Sequence, residues 1–226
     1  MNGELLGLLV YLVLVLGGLA TLWFFMVRRD LIRRMKRIVE ILEEELRPRD
    51  KSYTLLGYLV GFRAVYEKPR IKGVDRAWIL YTQPPRHVLL YLPVVHLAGE
   101  RERLELTLRL ARPPRGEAHL YDPGDRATRR LVERDTADAR EKLRRGAAEI
   151  AGHELELLTT GDPEAQQAVV ELAEKLTRIM GRPPLRVTLS SRHRALHVAI
   201  EPRVATLRNT VRAIARYAES LAPGKN

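Results

Sequence analysis

The sequence predicts an α+β protein with a single transmembrane helix at its N-terminus. Residues 5–27 form an uncharged apolar run that is long enough to span a bilayer as a helix. The rest of the chain alternates between segments with the two-residue period of strands and segments with the 3.6-residue period of helices. Hydrophobic residues make up 46% of the 226 residues, which is enough for a packed core and argues against a disordered chain.

The apolar run is flanked by charges that predict its orientation. Glu4 precedes the run, whereas a cleaved signal peptide would begin with basic residues and have a shorter apolar core. The positive-inside rule therefore places residues 1–4 outside the cytoplasm and the C-terminal domain in the cytoplasm, at the cell membrane. We expect the basic residues after the run to contact anionic lipid headgroups; they are Arg28, Arg29, Arg33, Arg34, Lys36 and Arg37.

Residues 28–51 predict a juxtamembrane helix and a linker, with Pro48 ending the helix. The first half of this helix is basic and the second half is acidic. One apolar stripe runs along it, formed by Leu31, Met35, Ile38, Leu42 and Leu46. Two partners fit such a stripe: a second copy of the chain, in a short coiled coil, or the protein's own domain. Small residues four apart in the membrane run, such as Gly17 and Thr21, would also permit a homodimer.

Residues 52–122 predict an antiparallel β-rich subdomain. Three segments are rich in aromatic and branched residues and apolar on both faces, which is typical of covered strands: Tyr53–Tyr66, Ala77–Tyr81 and His87–Leu92. Residues 102–110 instead alternate, with four leucines on one side and polar residues on the other. Short segments containing Pro and Gly join these strands, as in a meander.

The second half of the chain predicts a different arrangement. Residues 123–150 are rich in arginine and poor in apolar positions, which favours an exposed helical connector. Residues 151–226 then follow the order β-α-β-β-α, with strands at His153–Leu158, Leu185–Leu189 and Ala195–Ile200. This order is most of a split ferredoxin-like unit, and the first subdomain would supply its missing strand.

The charge of the chain indicates anionic partners. The net charge is +11, and residues 50–226 alone hold 31 Lys and Arg against 22 Asp and Glu. Three arginines four residues apart form a ridge on the last helix, and four more stand in the connector. We expect these residues to contact an anionic partner: Arg208, Arg212 and Arg216, with Arg129, Arg130, Arg144 and Arg145.

The sequence contains no motif that predicts catalytic, metal or cofactor-binding residues. The chain has no cysteine, which excludes disulfides, cysteine-ligated metals and thiol catalysis. The segment from Thr159 to Glu164 lacks the glycines and lysine of a phosphate loop, and Asp162 followed by Pro163 predicts a helix N-cap instead. His193 and His197 are four apart, but they lie in a predicted hairpin without a carboxylate beside them.

These observations favour a membrane-anchored, non-enzymatic module that binds another protein or the anionic membrane. The alternative is a membrane-tethered protein that binds nucleic acid or the ribosome, for which the basic charge is the only indication because aromatic residues make up only 6%. An enzyme whose site assembles only in three dimensions is the third hypothesis. The scarcity of Asn, Gln and Met suggests a thermophile, whereas the preference for arginine over lysine is equally expected of a GC-rich genome.

Overall fold

The computed structural model describes residues 3–88, 93, 97, 101–137 and 143–221. The protein is α+β, with a long apolar helix at the N-terminus and one nine-stranded antiparallel sheet. In chain order the elements are α1 (Gly3–Leu46), β1 (Asp50–Leu56), a 3₁₀ turn (Gly57–Leu59), β2 (Gly61–Glu67), β3 (Val74–Thr82), β4 (Arg103–Leu110), β5 (Ala118–Tyr121), α2 (Arg126–Asp135), β6 (Arg144–Ile150), β7 (His153–Thr159), α3 (Pro163–Met180), β8 (Arg186–Ser190), β9 (Ala195–Ile200) and α4 (Val204–Ser220).

Helix α1 continues without a break from the apolar run into the charged juxtamembrane segment. Its 44 residues extend about 66 Å. The side chains of the apolar run are exposed along nearly its whole length. By length and composition, α1 is the one helix among the described residues that is able to cross a membrane.

The sheet has the strand order β1-β2-β3-β4-β9-β8-β5-β7-β6. Strands β1 to β4 follow each other as hairpins, as the sequence of the first half predicts. The alternation in β4 is also confirmed, because all four of its leucines are buried and the residues between them are not. Segment Tyr53–Tyr66 is two strands rather than one, since the chain turns at Gly57–Leu59 and pairs β1 with β2.

The split ferredoxin-like arrangement of the second half is not confirmed. That arrangement would place β7 next to β9, whereas β7 pairs with β5 and β6, and β9 pairs with β4 and β8. The short strand β5 fills the position between β7 and β8. Strands from both predicted subdomains therefore form one continuous sheet.

Two other segments differ from the sequence prediction. Helix α2 falls inside the predicted connector, but residues 144–150 form edge strand β6 instead of continuing a helix. Only one of these seven residues is buried, so the side chains show no apolar pattern that would predict a strand. The strand is defined by its backbone pairing with β7. In the predicted strand His87–Leu92, His87 and Val88 lie outside any strand, and residues 89–92 lie outside the described residues.

One face of the sheet carries the main core. The second half of α1 packs on α4, which packs on α3, and these three helices cover the apolar side chains of the sheet. Asp162 accepts a hydrogen bond from the Glu164 amide at 3.1 Å and Gly181 has φ 72°, so α3 has the N-cap and C-cap that the sequence predicts. The opposite face carries α2 over a small cluster of Tyr121, Val132 and Leu158.

Candidate functional site

The junction between α1 and the domain brings together charged residues that are far apart in the sequence. The stripe from Leu31 to Leu46 is buried among α4 and the sheet, with Ile38, Leu42 and Leu46 wholly inaccessible to solvent. The stripe thus packs on the protein's own domain, which was one of its two predicted partners. This packing aligns the acidic residues of α1 with the arginine ridge of α4.

Glu45 is the centre of the contact between the two helices. Its carboxylate accepts hydrogen bonds from Arg212 Nε and Nη2, both at 2.9 Å, and from Arg208 Nη1 at 3.0 Å. Arg208 also pairs with Glu44. The hydrogen bonds and charges of these arginines hold the pKa of Glu45 below its usual value. Two of the three ridge arginines therefore bind α1.

The same residues border an open cleft of about 560 Å³ at the C-terminal end of α1. The Arg70 amide donates to the Leu46 carbonyl at 2.8 Å, which brings the loop after β2 to the end of α1. Four guanidinium groups and two carboxylates line the cleft, so its charge is positive despite the ion pairs. The lining residues are Glu44, Glu45, Arg47, Arg70, Arg208 and Arg212.

Glu43 attaches the same end of α1 to the first strand. Its carboxylate accepts hydrogen bonds from Lys51 Nζ and from the Tyr53 hydroxyl, each at 2.5 Å. The Tyr53 hydroxyl is 2.6 Å from that of Tyr66, and burial raises the pKa of Tyr66 to about 12. These bonds fix the position of β1, whose side chains are otherwise mostly exposed.

The other end of the docked half of α1 has one buried ion pair. Arg34 Nη2 is 2.6 Å from Glu102 Oε2 and donates to the Pro202 carbonyl at 3.4 Å. Glu102 is only 6% exposed, and its burial raises its pKa although the charges of Arg34 and Arg86 oppose the shift. The chain segments before β4 and after β9 are thereby held against α1.

The other basic residues predicted to contact lipid remain on the surface of α1. Arg28, Arg29, Arg33, Lys36 and Arg37 are exposed, and Arg34 alone turns towards the domain. Arg33 pairs with Asp30 at 3.4 Å and Arg37 with Glu40 at 3.1 Å, but these pairs are solvent-accessible and weak. The exposed side chains are free to adjust to headgroups.

The remaining arginines predicted to contact an anionic partner do not join the cleft. Arg216 is exposed one turn beyond Arg212 on α4. Arg129 and Arg130 are exposed on α2, which covers the opposite face of the sheet. The other two arginines are exposed on edge strand β6; they are Arg144 and Arg145. The predicted set is thus divided among three surfaces.

A buried polar network lies under α2 and was not predicted. His119 Nδ1 is 3.2 Å from Thr188 Oγ1, and Arg186 donates to Thr188 Oγ1 at 2.8 Å and to Asp135 Oδ2 at 2.8 Å. His119, Thr188 and Arg186 are at most 5% exposed. Arg103 similarly donates to Asp125 at 3.2 Å, so charged residues of the sheet hold both ends of α2. The polar Arg-x-Thr-x-Ser alternation in β8 was the signal for this network.

The polar network does not have the geometry of a nucleophile activated by a base. Glu117 lies between the two candidate groups, since its Oε1 accepts from Ser190 Oγ at 3.2 Å and is 3.3 Å from His119 Nε2. The serine therefore bonds to the carboxylate and not to the imidazole. His197 bonds to Thr107 at 2.9 Å, and burial with the nearby charge of Arg186 lowers the pKa of His197 to about 3.

Within the described ranges, no group of three or more His, Cys, Asp or Glu side chains is placed to hold a metal ion. No protein-family model matches this chain, and no curated protein matches it.

Proposed function

We propose that the protein is a single-pass membrane protein that presents a basic α+β domain in the cytoplasm as a non-enzymatic interaction module. The observation that carries this proposal is the two-sided character of α1. Its first half exposes apolar side chains around the whole helix, while its second half belongs to the core of the domain. A helix with these surroundings would fix the domain directly to the bilayer without a flexible linker.

The distribution of charge supports a cytoplasmic domain. Five exposed basic side chains lie within the ten residues from Arg28 to Arg37, immediately after the apolar run. Clusters of this kind are enriched on the cytoplasmic side of membrane helices and are attracted to anionic lipid. The domain would then start at the inner surface of the membrane.

The position of the cleft favours a soluble partner over lipid. Glu45 lies 17 residues beyond Arg28, which corresponds to about 25 Å along an α-helix. The cleft at Glu45 would therefore stand clear of the headgroups if α1 leaves the membrane near its normal. Its excess of arginine suits carboxylate or phosphate groups, and we propose an acidic segment of another protein as the partner.

Nucleic acid or a ribosome is the second candidate partner, because phosphate would suit the same arginines. The exposed arginines of α2 and β6 favour it, since they provide basic surface at places other than the cleft. A nucleic-acid ligand would give binding that weakens steeply as salt is raised. An enzyme remains the third hypothesis, with the network around His119 as its candidate site.

The deciding experiment is affinity purification of the full-length protein in mild detergent, with and without nuclease. We expect a protein partner to be retained after nuclease treatment and to be lost from an Arg70→Glu variant. Arg70 lines the cleft without an ion pair to α1 among the described residues, so its replacement leaves the docked helix in place. Arg130→Glu, on α2, is the matched control and should retain the partner.

The possible results separate the three hypotheses. Partners that disappear with nuclease would favour the nucleic-acid alternative. A partner that survives in both variants would remove the cleft from the proposal. Turnover of a phosphoester or nucleotide by the purified protein, lost on His119→Ala, would contradict the non-enzymatic role.

A further inference from the structure

The loop after β3 lies beside the apolar half of α1. Trp23 Nε1 donates a hydrogen bond to the Arg86 carbonyl at 3.3 Å. The ring of Phe24 meets the His87 ring edge to face, with 5.7 Å between the ring centroids. Both aromatic residues precede Arg28 and belong to the apolar run. The loop therefore reaches the part of α1 that is predicted to be within the membrane.

The first residues of the loop, up to 87, project beyond the end of the sheet. The strand register places Gly61, Thr82 and Arg103 side by side at one end of the sheet. The segment beside this end contacts α1 at Arg34, through Glu102. Arg34 lies 11 residues after Trp23, or about 16 Å further along the helix axis. Residues 86 and 87 thus lie beyond this end of the sheet, towards the N-terminus of α1.

The chain after Arg86 has the composition of a membrane contact. Residues 87–99 contain no Lys, Arg, Asp or Glu, whereas charged residues make up 30% of the whole chain. Val88 is 43% exposed and Leu97 is 88% exposed. Exposed apolar side chains in an uncharged run are unfavourable in water and are typical of segments that lie in a membrane interface.

The charged residue that precedes this run interacts with the domain. The positive charge of Arg86 acts on Glu102 and Tyr81, which belong to the domain, while the Arg86 carbonyl accepts from Trp23. Tryptophan is enriched at the boundary between the headgroups and the acyl chains, where its N–H finds a polar partner. The contact of Trp23 with Arg86 therefore places the start of the run at this boundary.

We infer that the domain touches the bilayer at a second place, where Val88 and Leu97 enter the interface beside α1. This inference rests on the proposed membrane anchoring. The occupant is the lipid of the leaflet from which the domain emerges, since Arg86 and His87 contact the aromatic end of α1 and Val88, the next residue, exposes its apolar side chain. Two attachment points would fix the rotation of the domain about α1 and keep one side of the sheet towards the membrane.

The test uses single-cysteine variants of the full-length protein, which has no native cysteine. Leu12→Cys, Val88→Cys, Leu97→Cys and Lys175→Cys are labelled with an environment-sensitive fluorophore and reconstituted in vesicles of phosphatidylcholine and phosphatidylglycerol. Lipids carrying a nitroxide at the headgroup or deep in the acyl chain quench the label according to its depth. Leu12 reports the anchor, and Lys175, exposed on α3, is the control in water.

We expect the labels at 88 and 97 to be quenched most by the headgroup nitroxide, the label at 12 by the deep nitroxide, and the label at 175 by neither. Quenching at 12 without quenching at 88 and 97 would overturn the second contact and leave the anchor intact. Absence of quenching at 12 would contradict the anchor itself. The two failures are therefore distinguishable in one series.

Discussion

The two halves of α1 share one uninterrupted helix and differ in the pattern of their side chains. The apolar half has no polar face, and no residue of its most apolar stretch of 18 residues is buried inside the protein. The docked half, from Leu31 to Leu46, places apolar residues on one stripe and buries that stripe completely or nearly so. Because backbone hydrogen bonds are satisfied within a helix in water and in lipid alike, the side-chain pattern alone decides which half of α1 packs on the domain and which half is able to cross a membrane.

The largest difference between the halves is expected from the same substitution made in each. Leu42→Ala removes a wholly buried side chain and should lower the free energy of unfolding by about 2–5 kcal/mol. Leu12→Ala, on the exposed half, should change it by no more than about 0.5 kcal/mol. Urea unfolding in detergent, followed by near-ultraviolet circular dichroism, measures both. Equal losses would show that the two halves are equally packed.

The ion pair of Arg34 and Glu102 should respond unequally to loss of either member. Arg34→Met leaves the buried carboxylate of Glu102 without its partner and should lower the free energy of unfolding by about 1–3 kcal/mol. Glu102→Gln leaves an arginine that solvent reaches, so it should cost less. Arg33→Met is the control on the exposed side of the same turn and should cost at most about 0.5 kcal/mol. A larger loss of stability in Glu102→Gln than in Arg34→Met would contradict the burial of the carboxylate in this pair.

A smaller effect with a defined pH dependence is expected at Glu45. Glu45→Gln should lower the urea midpoint more than Glu40→Gln, because Glu45 bonds to two arginines and the Glu40 pair is exposed. Since the folded state lowers the pKa of Glu45, its contribution is present above pH 4.5 and is lost as pH falls through the lowered pKa. The difference between wild type and Glu45→Gln should therefore close on acidification.

The contribution of Glu102 to stability should change with pH in the opposite direction to that of Glu45. Its raised pKa means that the folded state binds the proton more tightly than the unfolded chain, so its contribution weakens as pH rises above 4.5. Comparing the urea midpoints of wild type and Glu102→Gln from pH 4 upwards measures this. If the midpoint difference between wild type and variant changed with pH in the same direction for Glu45 and Glu102, the opposite pKa shifts of the two carboxyl groups would be contradicted.

The smallest effect is expected at Gly17 in the apolar half. A Cβ there meets no atom of the protein, so Gly17→Val should leave the unfolding free energy within about 0.5 kcal/mol of wild type. The same variant examines the proposed homodimer, because a close helix contact at Gly17 would not tolerate valine. Cross-linking in membranes that is lost in the variant would support a dimer formed through this face.

Much of the fold could be predicted from local patterns in the sequence. Four features were predictable because each depends on residues that are close in sequence: the uncharged run, the stripe of Leu31 to Leu46, the alternation in β4 and the caps of α3. Strand β5 has only four residues and β6 has no apolar period, so neither is visible locally. The two halves of the chain join into one sheet because β4 pairs with β9 and β5 pairs with β7 and β8, and these contacts are distant in sequence.

The candidate site was partly predictable for the same reason. The ridge of Arg208 and Arg212 follows from helical spacing, and the acidic end of α1 is equally plain in the sequence. Their ion pairs depend on the packing of α1 against α4, which the stripe alone left undecided between the domain and a second copy. Arg47, before β1, and Arg70, after β2, come together at the cleft only because β1 pairs with β2, and this pairing does not follow from the local sequence around either arginine.

The most direct test of the two-sided helix is a nitroxide scan of residues 5–46 in vesicles, one cysteine at a time. Accessibility to oxygen, which is concentrated in lipid, should be high and without a helical period from 5 to 27. From 31 to 46 it should be low, while side-chain mobility should fall at 31, 35, 38, 42 and 46, the positions of the buried stripe. Low oxygen accessibility throughout the first half, or uniform mobility through the second, would contradict the account.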